Sequence, residues 1–173
     1  IDILRENNKN ELKKFIKKTG VGGNIDLKKP YYLVVLHPIT TEQNKSYKQT
    51  QILINSITKL NSQIIWLWPN VDAGSDGISK CLRINREKGL LNKFRFFKNF
   101  PVEIYNELLK TAKCLIGNSS SFIRESSYLG SASVLVGDRQ FKRERAKNVS
   151  SVGFNANKIY DLIKKQEGKQ FKR

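Results

Sequence analysis

From Pro30 onward the chain alternates short apolar runs with segments of helical periodicity, and five of the runs end in polar residues. The runs are Tyr31 to Leu36, Gln63 to Trp68, Phe94 to Phe97, Cys114 to Ile116 and Ser133 to Val136. Their polar ends are His37, Asn70 with Asp72, Asn99, Asn118 with Ser119 and Ser120, and Asp138 with Arg139. Near-continuous apolar runs mark strands buried on both faces, so the alternation predicts an α/β fold: a parallel sheet, helices on both faces and right-handed crossovers. In such a sheet the carboxyl ends of the strands open on one edge. The polar residues then line a single ligand-binding crevice.

The intervening segments supply the helices. Residues Glu6 to Thr19 carry Leu12, Phe15 and Ile16 on one side and stop at Gly20-Val21-Gly22-Gly23. Thr40 or Thr41 is placed to cap a helix with Ile52, Ile57 and Leu60 inward, and further helices are predicted from about Asp76 to Lys88, from Pro101, from Ser119 to Leu129 before Gly130, and from Ala156 to Lys165. A chain of 173 residues can bury one substantial core but not two of ordinary size. The basic end from Lys164 to Arg173 is expected to fray.

Composition narrows the partners. Lys and Arg number 32 against 15 Asp and Glu, a formal charge of +17, which favours anionic ligands. The positives are spread, from Lys13, Lys14, Lys17, Lys18, Lys28 and Lys29 near the start to Lys142, Arg143, Arg145 and Lys147 late, so a solvated Lys-rich surface explains most of them. A nucleic-acid partner is not expected, because Tyr31, Phe96 and Phe97 lie in apolar strand runs and read as core. Cys81, Cys114 and one His offer no metal-ligand spacing, so no metal or other cofactor is expected and the thiols should be reduced. The longest apolar runs fall far short of the roughly 20 residues a spanning helix needs, and no charged-then-apolar leader opens the chain, so a soluble, cytoplasmic protein without a membrane partner is expected. Methionine is absent and the chain opens Ile1-Asp2-Ile3, which suggests a fragment.

Four segments carry chemistry. Gly117-Asn118-Ser119-Ser120-Ser121 joins a buried strand to a helix, and such a small-residue turn directs backbone N–H groups at a phosphate or simply caps the helix. Glu125, further into that helix, can accept ribose hydroxyls or pair with Arg124 or a Lys. His37 is the only histidine, held by Pro38, and serves either structure or a phosphate and proton transfer. Asn70 and Asp72 sit in the turn-former-rich segment Pro69 to Ser75, which serves equally as a plain loop or as a place to read sugar hydroxyls. Arg139 follows the last core strand so closely that its two-pronged guanidinium suits a phosphate; the basic residues after it read as surface.

In order and spacing, His37-Pro38-Ile39-Thr40-Thr41, Pro69 to Ser75, Gly117 to Glu125, and Gly137-Asp138-Arg139-Gln140 with Arg143-Glu144 resemble the C-terminal half of the hydrolysing UDP-N-acetylglucosamine 2-epimerases. The resemblance covers about Pro30 to Leu162. It implies the C-terminal half of a GT-B fold, in which two Rossmann-like domains hold substrate between them. The domain organisation expected is a helical lead-in over 1–29, a Rossmann-like nucleotide-sugar-binding domain over 30–163 and a basic tail over 164–173. Non-hydrolysing members share the fold, but their first motif usually reads His-Arg-Arg-Glu-Asn and their third contains a Ser-Gly-Gly run, so this chain sides with the hydrolysing branch.

The resemblance implies conversion of UDP-N-acetylglucosamine and water to UDP and N-acetylmannosamine, for sialic-acid-type sugar synthesis. It also implies the route: anti elimination of UDP to a glycal, then water addition with inversion at C2. His37 would lie at the diphosphate and reacting sugar, Ser119 and Ser120 would hold the diphosphate, Glu125 the ribose, and Asn70, Asp72 and Arg139 would line the donor site. The family's acid and base carboxylates sit largely in the N-terminal half, so that domain is an implied partner, besides the UDP-sugar, and the chain alone should bind nucleotide weakly and turn over poorly. Whether the full-length enzyme is a homo-oligomer stays open. Phe122 and Lys142 stand where the family usually has Gly, and a ring at 122 is expected to narrow the phosphate turn or reshape sugar specificity, toward a diacetamido sugar for example. The rival readings are a GT-B glycosyltransferase half and a basic nucleic-acid-binding module.

Overall fold

The structure is a computed structural model that describes residues 9–69 and 72–171. In chain order the elements are α1 (Lys9–Lys18), β1 (Val21–Gly22), β2 (Tyr31–Val35), a 3-10 turn (Thr40–Lys45) leading into α2 (Ser46–Ile57), β3 (Gln63–Leu67), α3 (Ser75–Glu87), β4 (Phe94–Phe97), α4 (Val102–Thr111), β5 (Cys114–Gly117), a second 3-10 turn (Ser120–Phe122), α5 (Arg124–Leu129), β6 (Ser133–Val136), β7 (Val149–Val152) and α6 (Ala156–Gln166). The sheet runs β1-β4-β3-β2-β5-β6-β7, parallel throughout except for β1 on β4.

That order decides where a ligand can sit. The chain builds β3 and β4 on one side of β2, then crosses to add β5, β6 and β7 on the other. Connections leave β2 and β5 in opposite directions, so a cleft opens between their carboxyl ends.

The strand residues explain the two layers. All five residues of β2 are buried, and alternate side chains enter opposite cores. Tyr32 and Val34 join Ile64, Trp66, Phe94 and Phe96, covered by Leu53, Ile54 and Ile57 of α2, Ile78 and Leu82 of α3, and Ile159 and Ile163 of α6. Tyr31, Leu33 and Val35 join Ile65, Phe97, Leu115 and Leu135 beneath Leu12 and Ile16 of α1 and Ile104, Leu108 and Leu109 of α4. Each large side chain so buried contributes about 1.5–3 kcal/mol, which is why the strands read as apolar runs rather than as alternation.

Several boundaries depart from the pattern, each for a local reason. The predicted helix over Ser119 to Leu129 is interrupted, because the Phe122 carbonyl accepts hydroxyl bonds from Ser126 and Ser133 at 2.6 and 2.8 Å. Serine side chains thereby divert a carbonyl that a continuous helix would use. Gly130 ends α5 with φ +72°, and a Cβ there would stand 2.2 Å from the Phe171 carbonyl oxygen. The helix expected from Thr40 or Thr41 becomes a 3-10 turn and then α2, and Leu60 is buried just beyond the helix end.

Two strands escape the periodicity. β7, Val-Ser-Ser-Val, is a half-exposed edge strand, and β1 occupies two residues of the glycine-rich stretch. The Arg95 side chain braces that stretch, donating to the Thr19 and Gly23 carbonyls at 2.9–3.2 Å.

The basic end does not fray through Phe171. Glu167 accepts from the Tyr32 hydroxyl and pairs with Lys113, at 3.2 Å, and with Lys164. The Gly168 amide donates to the Lys113 carbonyl and that of Phe171 to Gly130, at 2.9 and 3.0 Å. Position at the chain end predicted fraying; Glu167 at the end of α6 and these backbone bonds hold the segment, while Lys164, Lys165 and Lys169 stay exposed.

Candidate functional site

At the cleft β2 and β5 come closer than side chains allow. Gly117 ends β5 at φ +139°, and a Cβ there would stand 1.9 Å from the Val35 carbonyl oxygen, so glycine is required on both counts. The Asn118 amide then donates to Val35 O at 3.0 Å and carries the chain across the strand end.

Asn118 is the centre of the arrangement. Its side-chain amide grips the backbone of His37 in both directions: Oδ1 accepts from the His37 N–H at 2.7 Å and Nδ2 donates to the His37 carbonyl at 2.8 Å. Its own carbonyl accepts from Gln140 Nε2 at 3.0 Å and from Arg139 Nη1 at 3.4 Å. One residue, 1 % exposed, thus ties together the ends of β2, β5 and β6.

His37 is half-buried, and its Nδ1 is buried without a hydrogen-bond partner among the described residues. Burial pushes the imidazole pKa below its ordinary value; the nearby positive charge of Arg139 lowers it further, and Asp72 partly opposes both. The ring is therefore neutral at pH 7, with one N–H to donate and one nitrogen to accept. His37, Asp72 and Arg139 share one electrostatic environment, as their placement at strand ends predicts.

The serine turn forms a chain of hydroxyls. Ser119 Oγ lies 2.8 Å from Ser121 Oγ, which lies 2.7 Å from the Tyr105 hydroxyl of α4. Burial raises the Tyr105 pKa, the nearby Ser121 and Ser119 hydroxyls oppose that, and the charge of Glu125 adds to it. Glu125, half-buried in the first turn of α5, thus neighbours this chain, and its Oε2 is buried without a hydrogen-bond partner among the described residues. Ser120 begins the 3-10 turn and is half-buried.

The sequence-based site residues divide accordingly. His37, Asp72, Ser119, Ser120, Glu125 and Arg139 all fall at the carboxyl edge of the sheet. Asn70 lies outside the described residues, and Asn99 is exposed after β4. Phe122 corrects an expectation: its ring is fully buried in the core beneath β2 and β5, so it neither narrows the turn nor faces the crevice. Lys142 is exposed. The gripping role of Asn118 and the participation of Tyr105, Ser121 and Gln140 were not readable from the motifs. Tyr105 stands 16 residues from Ser121 and meets it only because α4 packs beside the turn.

Around the site, a cavity of about 440 Å³ lies between the loops after β2, β6 and β7, with Thr40, Thr41, Asp138 and Arg139 on its walls. A larger cavity, about 820 Å³, lies elsewhere, against α3 over Trp68 and Phe96, and its lining includes none of the candidate site residues. Among the described residues no cluster of three His, Cys, Asp or Glu side chains is arranged to hold a metal ion, and no helix is long and apolar enough to cross a membrane. Cys81 and Cys114 are buried free thiols, pushed up by burial to about 11 and about 12.

Comparison with known proteins adds lineage to this geometry. A family model described as UDP-N-acetylglucosamine 2-epimerase matches residues 1–173. The chain belongs to this family. It is 30% identical over 161 residues to GDP/UDP-N,N'-diacetylbacillosamine 2-epimerase (hydrolyzing) of Campylobacter jejuni, covering 91% of this chain and 41% of that protein. It is 32% identical over 133 residues to UDP-N-acetylglucosamine 2-epimerase of Neisseria meningitidis, covering 77% of this chain and 34% of the relative. A third relative, polysialic acid biosynthesis protein P7 of Escherichia coli, is 32% identical over 147 residues, covering 84% and 37%. The chain spans about two fifths or less of the length of these relatives.

Solved structures agree on the fold. The UDP-GlcNAc 2-epimerase of Methanocaldococcus jannaschii superposes with a TM-score of 0.69 at 12% identity, over 95% of this chain and 45% of that one. The C-terminal domain of a glycosyl transferase group 1 family protein from Francisella tularensis gives 0.57 at 12% identity, over 93% and 82%. The epimerase family member therefore has a Rossmann-like domain corresponding to the C-terminal half of a GT-B fold.

Proposed function

We propose that this chain is the UDP-binding half of a hydrolysing UDP-N-acetylglucosamine 2-epimerase, which turns UDP-N-acetylglucosamine and water into UDP and N-acetylmannosamine. The observation that carries the reading is the union, at the topological switch point, of a neutral His37 and a cationic Arg139, both bonded to Asn118, with the Ser119 hydroxyl chain that follows Asn118 in sequence. Family membership and the names of the relatives support it.

The chemistry follows from what these groups can do. In the elimination step the C1–O bond to UDP breaks, its electron pair leaves with UDP, and a proton is lost from C2 to give the glycal. Negative charge grows on the departing diphosphate, and Arg139, Ser119 and Ser120 are donors suited to it. His37, neutral and half-buried, has one ring N–H to donate toward the same oxygens and one nitrogen free to accept. Glu125 accepts from the ribose hydroxyls through Oε2, which has no hydrogen-bond partner among the described residues, and Asn70 and Asp72 line the donor side. Water then adds, hydroxyl to C1 and hydrogen to C2, with inversion at C2.

The groups that remove and return the C2 proton come from the part of the protein that the relatives carry beyond the length matched here. The chain alone therefore binds nucleotide weakly and turns over poorly. A diacetamido sugar nucleotide is a second substrate reading, favoured by the name of the Campylobacter jejuni relative. The test joins this chain to the complementary half of a relative and follows UDP and sugar release from UDP-N-acetylglucosamine and from its diacetamido counterpart. Release of UDP with N-acetylmannosamine is expected; sugar transfer to an acceptor, with no free amino sugar, overturns the hydrolytic reading.

A further inference from the structure

The serine turn is oriented from outside itself. Ser119 and Ser121 are 8% and 9% exposed, so solvent has little part in setting their hydroxyl protons. Among the described residues the hydroxyl that reaches the turn from outside it is that of Tyr105, 2.7 Å from Ser121 Oγ, while Ser121 Oγ is 2.8 Å from Ser119 Oγ. Chemistry orders the three. A phenol is a better donor and poorer acceptor than an aliphatic hydroxyl, so Tyr105 donates to Ser121 and Ser121 to Ser119. Each bond polarises the next, leaving the Ser119 proton as the one free donor at the end of the chain. The Tyr105 ring is held by Phe100, with centroids 6.4 Å apart and planes at 21°. Burial and the Glu125 charge keep its proton on at neutral pH.

We infer that Tyr105 is a positioning residue that acts through Ser121 to commit the Ser119 hydroxyl to donating toward the diphosphate of the bound nucleotide. The inference rests on the proposed nucleotide reading of the crevice. It adds a residue 14 positions before the turn, on a different helix, whose only chemical contribution is the direction of a proton. Tyr105→Phe removes that contribution and keeps the ring and its contact with Phe100.

Saturation-transfer NMR titrations, which read weak ligands, with UDP and with uridine test it on the unaltered chain, Tyr105→Phe, Ser121→Ala, Ser119→Ala and the Tyr105→Phe, Ser119→Ala pair. The expected result is a roughly 2- to 10-fold loss of UDP affinity in Tyr105→Phe and in Ser121→Ala, the range for one lost hydrogen bond. Uridine affinity should be unchanged, and Tyr105→Phe should cost nothing further once Ser119 is alanine. Equal loss for uridine, or a full loss persisting in the Ser119→Ala background, assigns Tyr105 a packing role and overturns the inference. So does an unchanged UDP affinity in Tyr105→Phe beside a weakened Ser119→Ala. Failure of the unaltered chain to bind UDP overturns the nucleotide reading itself, and the inference with it.

Discussion

Replacing Asn118 by alanine removes a side chain that ties the ends of β2 and β5 together at the cleft. Two hydrogen bonds disappear, at 2.7 and 2.8 Å, and both lost partners are backbone groups of His37. An unpartnered buried donor or acceptor costs about 1–3 kcal/mol. His37 is half-buried, so water recovers part of that, and the two bonds together come to about 2–4 kcal/mol. For a domain of this length each kcal/mol lowers Tm by about 2–4 °C, giving a fall of roughly 4–16 °C. Urea denaturation followed by the fluorescence of buried Trp66 gives the free energy directly, and the midpoint should shift while the slope stays constant. Asn118→Asp keeps the acceptor for the His37 N–H, sets a carboxylate against the His37 carbonyl and should also raise the His37 pKa. A loss below about 0.5 kcal/mol in Asn118→Ala, the level of an ordinary surface change, would refute the bridging role.

Other outcomes follow from the same geometry. The single imidazole should titrate by NMR below the ordinary histidine value; Arg139→Gln should move its midpoint up and Asp72→Asn down, and a midpoint at or above the ordinary value would contradict the desolvated environment. Because the folded state takes up that proton less readily than the unfolded chain, His37 costs stability as pH falls from the ordinary histidine value through its lowered one. For Glu167, burial raises the pKa but the bonds from Lys164, Tyr32 and Lys113 outweigh it, so the carboxylate is held below its usual range. Its stabilisation is present above that range and lost as pH falls through the lowered value; Glu167→Gln should be less stable than the parent at pH 7 in urea titrations and converge with it in acid. Gly117→Ala should fail to give a cooperative thermal transition at 37 °C, since the added carbon would sit 1.9 Å from the Val35 oxygen; a folded, UDP-binding variant would show that the strands can separate there.

How much of this was legible depends on whether a residue acts through its neighbours in sequence or through distant ones. The parallel sheet and its two cores were readable because β2, β3, β4, β5 and β6 are buried on both faces and leave apolar runs. β7 was not, because a half-exposed edge strand rich in serine carries no such run. The crevice residues were readable because parallel strands force their carboxyl ends to one edge. What stayed hidden is side-chain direction: Phe122 turns into the core, and Tyr105 reaches Ser121 only through helix packing. Glu167 tethers the basic end through partners as distant as Tyr32, which no local charge pattern reports.

The most direct measurement is a calorimetric titration of this chain with UDP, beside a Ser119→Ala, Ser120→Ala double variant and a single-stranded oligonucleotide at the same moderate salt. Saturable binding of UDP at one site, weakened in the double variant and surviving added salt better than any oligonucleotide binding, is the predicted result. No UDP binding, with tight oligonucleotide binding that persists at higher salt, would contradict the assignment of the crevice to a nucleotide and return the +17 surface to first place.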